Sequence, residues 1–143
     1  MDNPWSLPEP GDIVWCRFPD RARDVVKRLR VAGLKPRPAL VIAVTQYTDG
    51  TSVMVAYGTS QKLNRLVSGE FAIRKVENLA AYTAAGLSYD TKFRLGDVLE
   101  LPWTEEFFAV PPSPRHGQTP KLGTLHPSLM KAFTSAAKSR GSR

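Results

Sequence analysis

Arg37 is held between two prolines in the stretch KPRPALVIAV, which covers residues 35–44. Pro38 biases Arg37 toward an extended backbone, so the guanidinium projects from a defined place where the chain enters a buried apolar run. A guanidinium presents a planar fork of donors that matches two phosphate oxygens, and it stays charged throughout the biological pH range. Arg37 is therefore a candidate phosphate-binding residue. A loop cation that pairs with an acid at the sheet rim would give the same sequence pattern.

Thr59 and Ser60 are the hydroxyl side chains that could act with Arg37. A hairpin turn signal at residues 48–50 joins two strand-like runs. Such a hairpin returns Thr59 and Ser60 to the end of the sheet at which Arg37 lies. The spacing therefore predicts a cation and two hydroxyls at one end of the sheet. The alternative is a strand-ending turn in which the hydroxyls cap their own backbone.

Other kinds of catalytic site find little support in the sequence. One cysteine, Cys16, and two histidines without paired spacing cannot assemble a usual zinc site, and we expect neither a metal nor a cofactor. His116 lies in a proline-rich loop and His126 at a helix start, where a structural or solvent-facing role is favoured over catalysis. The sequence contains no glycine-rich phosphate loop and no nucleophile elbow.

The apolar pattern predicts a mainly β protein of the α+β class. Strands are predicted at residues 11–18, 39–47, 51–58, 69–73 and 91–103, and helices within 19–38, at 78–87 and at 126–139. Several short strands with a hairpin, interrupted by small helices and followed by a C-terminal helix, indicate a small, strongly bent β-barrel. We expect Leu129, Met130 and Phe133 to form an apolar stripe on the last helix, and Trp15 to pack in the core or at a dimer interface.

Length and composition favour one soluble domain. The 143 residues suit a single domain over 1–143, with an extended lead at 1–9 and a frayed tail at 139–143. No apolar stretch approaches the roughly 18 residues of a membrane span. The start of the chain is acidic and broken by prolines, unlike a signal peptide, and the single cysteine suits a reducing compartment. We expect a cytoplasmic protein with no membrane association.

The net charge of +7 is concentrated in two segments. Residues 17–37 hold eight cations against two acids, and residues 107–143 hold six cations and no acid. This concentration favours a polyanionic partner, because a protein that neutralises phosphates releases their counterions. A solvated surface that only aids solubility is the alternative.

Four stretches resemble, in the right order, the MazF/PemK family of toxin endoribonucleases. They are PGDIVWCRF, KPRPALVI, VAYGTSQK and LGTLHPSLM, which together span most of residues 10–135. The resemblance implies a small SH3-like barrel with added helices, usually a homodimer, that belongs to a type II toxin–antitoxin system. It also implies cleavage of single-stranded RNA without a metal, and neutralisation by a cognate antitoxin protein whose tail occupies the groove.

The resemblance makes Arg37 the catalytic arginine and Thr59 the catalytic threonine. The implied reaction is attack of a ribose 2′-OH on the adjacent phosphate, which leaves a 2′,3′-cyclic phosphate and a 5′-OH end. Arg37 would stabilise the charge on the phosphorane, and Thr59 would hydrogen-bond a phosphate oxygen or orient the leaving group. The expected substrate-binding residues are Lys35, Ser60, Gln61, Lys62, Arg28 and Arg30.

Two departures from the family pattern leave the general base open. The chain has no glutamate between Phe18 and Arg37, and Tyr57-Gly58 stands where a proline often precedes the threonine. Arginine is a poor base because it holds its proton tightly. Two other functions stay open: a non-catalytic nucleic-acid-binding barrel, and a protein-interaction module that acts on a cellular target such as a topoisomerase.

Overall fold

A six-stranded antiparallel sheet forms the centre of the protein. The computed structural model describes residues 5–19 and 35–139. The strands, in sheet order β4-β5-β3-β2-β1-β6, are β1 Asp12–Cys16, β2 Arg37–Tyr47, β3 Gly50–Thr59, β4 Glu70–Ile73, β5 Thr91–Pro102 and β6 Lys121–Thr124. The helices are α1 Leu79–Ala84, a 3₁₀ turn Pro127–Leu129 and α2 Met130–Ser139.

The predicted mainly β class is confirmed, with short helices between and after the strands. The predicted hairpin is present: β2 and β3 pair from Ala39 opposite Tyr57 to Tyr47 opposite Gly50. Gly50 has φ of 146°, a conformation that favours glycine. The helix predicted within 19–38 falls mostly on residues outside the described part of the chain.

Bulges bend the sheet at three places. The register shifts between Ile13 and Val14 in β1, between Val41 and Ala43 in β2, and between Ala56 and Tyr57 in β3. Bulges disrupt the ladder locally and increase the twist of a strand pair. The long strand β5 pairs with two strands. Its first residues pair with both β3 and β4, and its last residues pair with β3 alone.

Each face of the sheet carries its own hydrophobic cluster. Ile13 and Leu40 lie in the first cluster, which α1 and α2 cover, whereas Val14 and Val41 lie in the second. Neighbouring residues of one strand enter different clusters because successive side chains of a strand point to opposite faces. Trp103, Phe107 and Phe108 fill the second cluster. Because the clusters pack against both faces of the sheet, they hold its strands in position, including the end at which β2 begins and β3 ends.

The C-terminal helix packs through only part of its predicted stripe. Leu129 is buried, and Phe133 packs edge-on against Phe71 with ring centroids 6.0 Å apart. Met130 is 48% exposed and does not contribute to the core of this chain. Leu129 and Met130 are consecutive, and neighbouring positions point in different directions around a helix. None of the helices in the described ranges is long and apolar enough to cross a membrane.

Candidate nucleic-acid interface

A cleft of about 480 Å³ lies at the end of the sheet where β2 begins and β3 ends. Its walls come from three places: the entry to β2 at residues 35–38, the loop after α1 at residues 86–89, and the proline-rich loop at residues 111–115. Gly58 and Ser60, at the end of β3, complete the lining. We call it the Arg37 cleft.

Strand pairing holds Arg37 at the rim of this cleft. Arg37 is the first residue of β2 and lies opposite Cys16, and Pro38 lies opposite Trp15. Gly58 lets β3 approach the proline closely, since a Cβ at position 58 would lie 2.3 Å from the Pro38 carbonyl oxygen. The predicted fixed position of Arg37 at the mouth of a strand is therefore observed.

The Arg37 cleft is positively charged. Lys35, Arg37 and Arg115 line it, and among the described residues no aspartate or glutamate does. Within residues 5–19 and 35–139, none of these three cations forms an ion pair with a carboxylate. The alternative in which Arg37 pairs with an acid at the rim is thus not realised in the described part of the chain.

Two aromatic rings lie in the walls of the Arg37 cleft. Trp15 is half-buried and lines the cleft, so it lies outside the core, and its packing at a dimer interface stays a prediction. Tyr89 is 74% exposed. Its loop is fixed locally, because Thr91 Oγ1 donates to the Tyr89 carbonyl at 2.9 Å and the backbone N–H of Lys75 donates to Asp90 Oδ1 at 2.8 Å.

The two predicted hydroxyls separate at the end of β3. Ser60 lines the Arg37 cleft, whereas Thr59 lines a second cleft of about 310 Å³ together with Tyr57, Gln61 and Lys62. We call this the Thr59 cleft. Within β3, alternation separates Gly58 from its neighbours Tyr57 and Thr59, and Ser60 and Gln61 follow in the turn after the strand. The structure therefore brings Arg37 together with Ser60, and places Thr59 across a divide from that cleft.

The two clefts adjoin at the end of β3. The β2–β3 pairing ends with Ala39 opposite Tyr57. Gly58 lines the Arg37 cleft, and its strand neighbours Tyr57 and Thr59 line the Thr59 cleft. The end of β3 is thus a narrow divide with one cleft on each side.

Thr59 forms the strand-ending turn that was the alternative to a catalytic role. Its side chain is buried, and its Oγ1 accepts a hydrogen bond from the backbone N–H of Gln61 at 3.1 Å. Lys62 follows with φ of 53°, the left-handed region that residues with a Cβ seldom adopt. The backbone N–H of Arg65 donates to the Lys62 carbonyl at 3.2 Å and closes the turn.

Buried charges form the floor of the Thr59 cleft. Glu70 Oε1 accepts from Lys92 Nζ at 2.9 Å, and Glu70 Oε2 lies 3.2 Å from Arg94 Nε. The side chains of Glu70 and Lys92 are only 4% and 7% exposed. Glu70 also accepts from the backbone N–H of Val67 at 3.0 Å, and Lys92 donates to the Arg65 carbonyl. These bonds satisfy both charges away from solvent, which a buried ion pair requires.

The histidines are placed as the sequence analysis favoured. His126 caps the 3₁₀ turn, since its Nδ1 accepts from the backbone N–H of Ser128 at 3.1 Å. His116 is exposed in the proline-rich loop. No group of three or more His, Cys, Asp and Glu side chains is placed to hold a metal ion among the residues that the structure describes.

The remaining predicted site residues divide between the two clefts. Lys35 and Ser60 line the Arg37 cleft, and Gln61 and Lys62 line the Thr59 cleft. Arg28 and Arg30 lie outside the described residues. Sequence reasoning missed a further set of residues that line the two clefts: Ser88, Tyr89, Ser113, Arg115, Arg65, Lys92 and Arg94. Only Arg115 carried a signal, as a cation in a proline-rich loop of a segment without acids.

No protein-family model and no curated protein matches this chain.

Proposed function

We propose that the chain is a MazF/PemK-like toxin, a metal-independent endoribonuclease whose Arg37 cleft binds single-stranded RNA. The observation that carries the proposal is the composition of this cleft. Lys35, Arg37 and Arg115 line it with no carboxylate in the part of the chain that the structure describes, and Trp15 and Tyr89 lie in its walls. The resemblance of the four sequence stretches to the family supports the same function.

Cations and accessible rings together suit an unpaired nucleic-acid strand. Proteins that bind single strands combine a positive groove that follows the backbone with aromatic side chains on which bases stack. In the Arg37 cleft, Lys35, Arg37 and Arg115 would contact phosphates, and Tyr89 is exposed enough to stack on a base. Unstacked bases of RNA loops and ends are the parts of RNA that such rings recognise.

The chemistry that we propose is an internal transfer at phosphorus. The ribose 2′-OH loses its proton, the 2′-oxygen forms a bond to phosphorus, and the bond to the 5′-oxygen breaks. The 5′-oxygen takes up a proton, which leaves a 2′,3′-cyclic phosphate and a 5′-OH. Arg37 would donate two hydrogen bonds to the phosphorane oxygens as their charge develops. The hydroxyl of Ser60 lies in the same cleft and would bind a phosphate oxygen.

The remaining parts of the proposal follow the family resemblance. They are closure of the bent sheet into an SH3-like barrel, a homodimer in the cytoplasm, and a cognate antitoxin whose tail occupies the RNA cleft. An acidic segment would suit this role, because the lining charges of the Arg37 cleft are all positive.

A second candidate is a barrel that binds nucleic acid without cleaving it. One observation favours it: Thr59, the expected catalytic threonine, lines the other cleft, and its Oγ1 already accepts the Gln61 N–H. In this case the Arg37 cleft would bind RNA, but the hydroxyl that assists the chemistry would be missing.

Incubation of the purified protein with a long single-stranded RNA in EDTA tests both candidates. We expect fragments with 5′-OH ends and 2′,3′-cyclic phosphates from the wild type and none from Arg37→Ala. Arg37→Lys should also fail, because an ammonium cannot present two parallel donors. Lys131→Gln, which removes an exposed cation of α2, is the matched control and should cut normally.

The possible outcomes separate the candidates. If the wild type retards the RNA on a gel but leaves it intact, the nuclease proposal is rejected and the non-catalytic binding protein is supported. Intact RNA without retardation would reject both and favour a protein target. Full cleavage by Arg37→Ala would remove Arg37 from the mechanism.

A further inference from the structure

We propose that the Thr59 cleft is a second phosphate-binding site, which holds a neighbouring phosphodiester of the same RNA strand whose reacting phosphate lies in the Arg37 cleft. The inference rests on the proposed function, because it names how the substrate continues beyond the reacting bond. It assigns substrate contacts to Arg65 as well as to Lys62.

The Thr59 cleft has more positive than negative charge. Lys62, Arg65, Lys92 and Arg94 line it, and Glu70 is the one carboxylate among its lining residues. Lys92 and Arg94 pair with Glu70. Lys62 and Arg65 form no ion pair with any carboxylate in the described ranges, so their charges stay available to an anion.

The ion pair beneath these two cations is rigid. Lys92 and Glu70 are buried, and each makes further hydrogen bonds to the backbone, at Arg65 and Val67. The first of these bonds ties Lys92 directly to the turn that carries Arg65. A phosphate would meet Lys62 and Arg65 on a turn that is already fixed, which lowers the entropy lost on binding.

The turn at Lys62 is held in an unfavourable backbone conformation. Lys62 has φ of 53°, and it is the one residue other than glycine with a positive φ among those that the structure describes. The Gln61 N–H to Thr59 Oγ1 bond before it and the Arg65 N–H to Lys62 carbonyl bond after it maintain this conformation. Strain of this kind is concentrated at ligand-binding sites. At this turn the strained conformation holds Lys62 in the lining of the Thr59 cleft.

The two clefts are close enough to serve one strand of RNA. Ser60 lines the Arg37 cleft and Thr59 the Thr59 cleft, so only the end of β3 separates them. The β2–β3 pairing ends with Ala39 opposite Tyr57, two residues from Arg37 on one strand and two residues from Thr59 on the other. An RNA strand that leaves Arg37 across this divide would bring its next phosphates to Lys62 and Arg65.

The test is the double variant Lys62→Gln/Arg65→Gln, with Lys131→Gln/Lys138→Gln as a control of equal charge on α2. All four side chains belong to exposed residues, so we expect each variant to keep the circular dichroism spectrum of the wild type. The probe is a short single-stranded RNA with 2′-deoxy riboses at its cleavage sites. Two lost contacts should lower the slope of log affinity against log salt by about 1.4, and the affinity about tenfold at roughly 0.15 M salt.

A second probe separates this inference from the proposed function. A 2′-deoxy dinucleotide carries one phosphodiester and should need the Arg37 cleft alone. We expect Arg37→Ala to abolish its binding and Lys62→Gln/Arg65→Gln to leave it unchanged. If Lys62→Gln/Arg65→Gln binds the longer RNA with the slope of the α2 control, the second site does not exist, whatever the outcome of the cleavage assay. If the dinucleotide loses affinity in that variant, the Thr59 cleft is not a separate site.

Discussion

The two clefts at the end of β3 use positive charge differently. In the Arg37 cleft three cations lie among prolines and aromatic rings without a described carboxylate partner. In the Thr59 cleft two of four cations pair with Glu70, which is buried. The difference shows that charge can be part of the fold on one side of a strand and be available to a ligand on the other. Substitutions of the buried Glu70 should therefore affect stability first, and those of the Arg37 cleft cations binding first.

The largest effect on stability is expected for Glu70→Gln. Removal of one partner from a buried pair leaves the Lys92 charge uncompensated, which costs about 3–5 kcal/mol. Urea unfolding measures the loss. Glu77→Gln is the control, because Glu77 pairs with Arg74 on the surface and such pairs contribute about 0–1 kcal/mol. Equal stability of the two variants would show that the floor of the Thr59 cleft is not structural.

Gly58→Ala should have the next largest effect. The added Cβ would lie 2.3 Å from the Pro38 carbonyl oxygen and 2.9 Å from a ring carbon of Phe93. Overpacking of this kind costs about 1–3 kcal/mol. We also expect weaker RNA binding, since β2 and β3 must separate at the divide between the clefts. Ser60→Ala is the control, because Ser60 lies two residues after Gly58 and is exposed. This variant should unfold at the same urea concentration as the wild type.

Arg115→Gln tests whether the proline-rich loop belongs to the Arg37 cleft. Loss of one contact should lower the salt slope of RNA binding by about 0.7 and the affinity about fourfold near 0.15 M salt. Unfolding should be unchanged, because Arg115 is exposed and has no ion pair within the described ranges. If Arg115→Gln keeps the wild-type salt slope, Arg115 does not contact the RNA, which then binds only the other walls of the cleft.

The smallest effect concerns Cys16, the residue opposite Arg37 in the β1–β2 pair. Burial raises the pKa of the Cys16 thiol, so the reactive thiolate is scarce in the native state. We expect no reaction with a thiol reagent at pH 8 until the protein unfolds. An unfolded thiol ionises at about pH 8.5, whereas the native thiol stays neutral. The free energy of unfolding should therefore decrease as the pH rises above about 8.5. Fast labelling of native protein would mean that the strand pair beneath Arg37 opens.

The sequence predicted the strands well where the apolar pattern was strong. The continuous run at residues 39–47 and the turn at 48–50 gave β2, β3 and their pairing, because a buried strand and a tight turn are local properties. Met130 lies where the 3₁₀ turn and α2 meet, and the apolar pattern does not show how such a junction is oriented.

The clefts were less predictable because distant segments build them. Tyr89 and Arg115 meet Arg37 only through tertiary packing, which spacing along the chain does not encode. The separation of Thr59 from Ser60 was not predicted, because the predicted strand ended at residue 58 and both hydroxyls were expected in the loop after it. β3 continues to Thr59, so the strand ends between the two residues.

The most direct test of the account follows the indole N–H signals of the three tryptophans by NMR during titration with a single-stranded RNA whose 2′-hydroxyls are removed. Trp15 lines the Arg37 cleft, whereas Trp103 lies in the second hydrophobic cluster with Trp5 packed against it at 5.6 Å. If the Arg37 cleft binds RNA, the Trp15 signal shifts and the Trp103 signal stays in place. An unchanged Trp15 signal at saturating RNA would contradict the account.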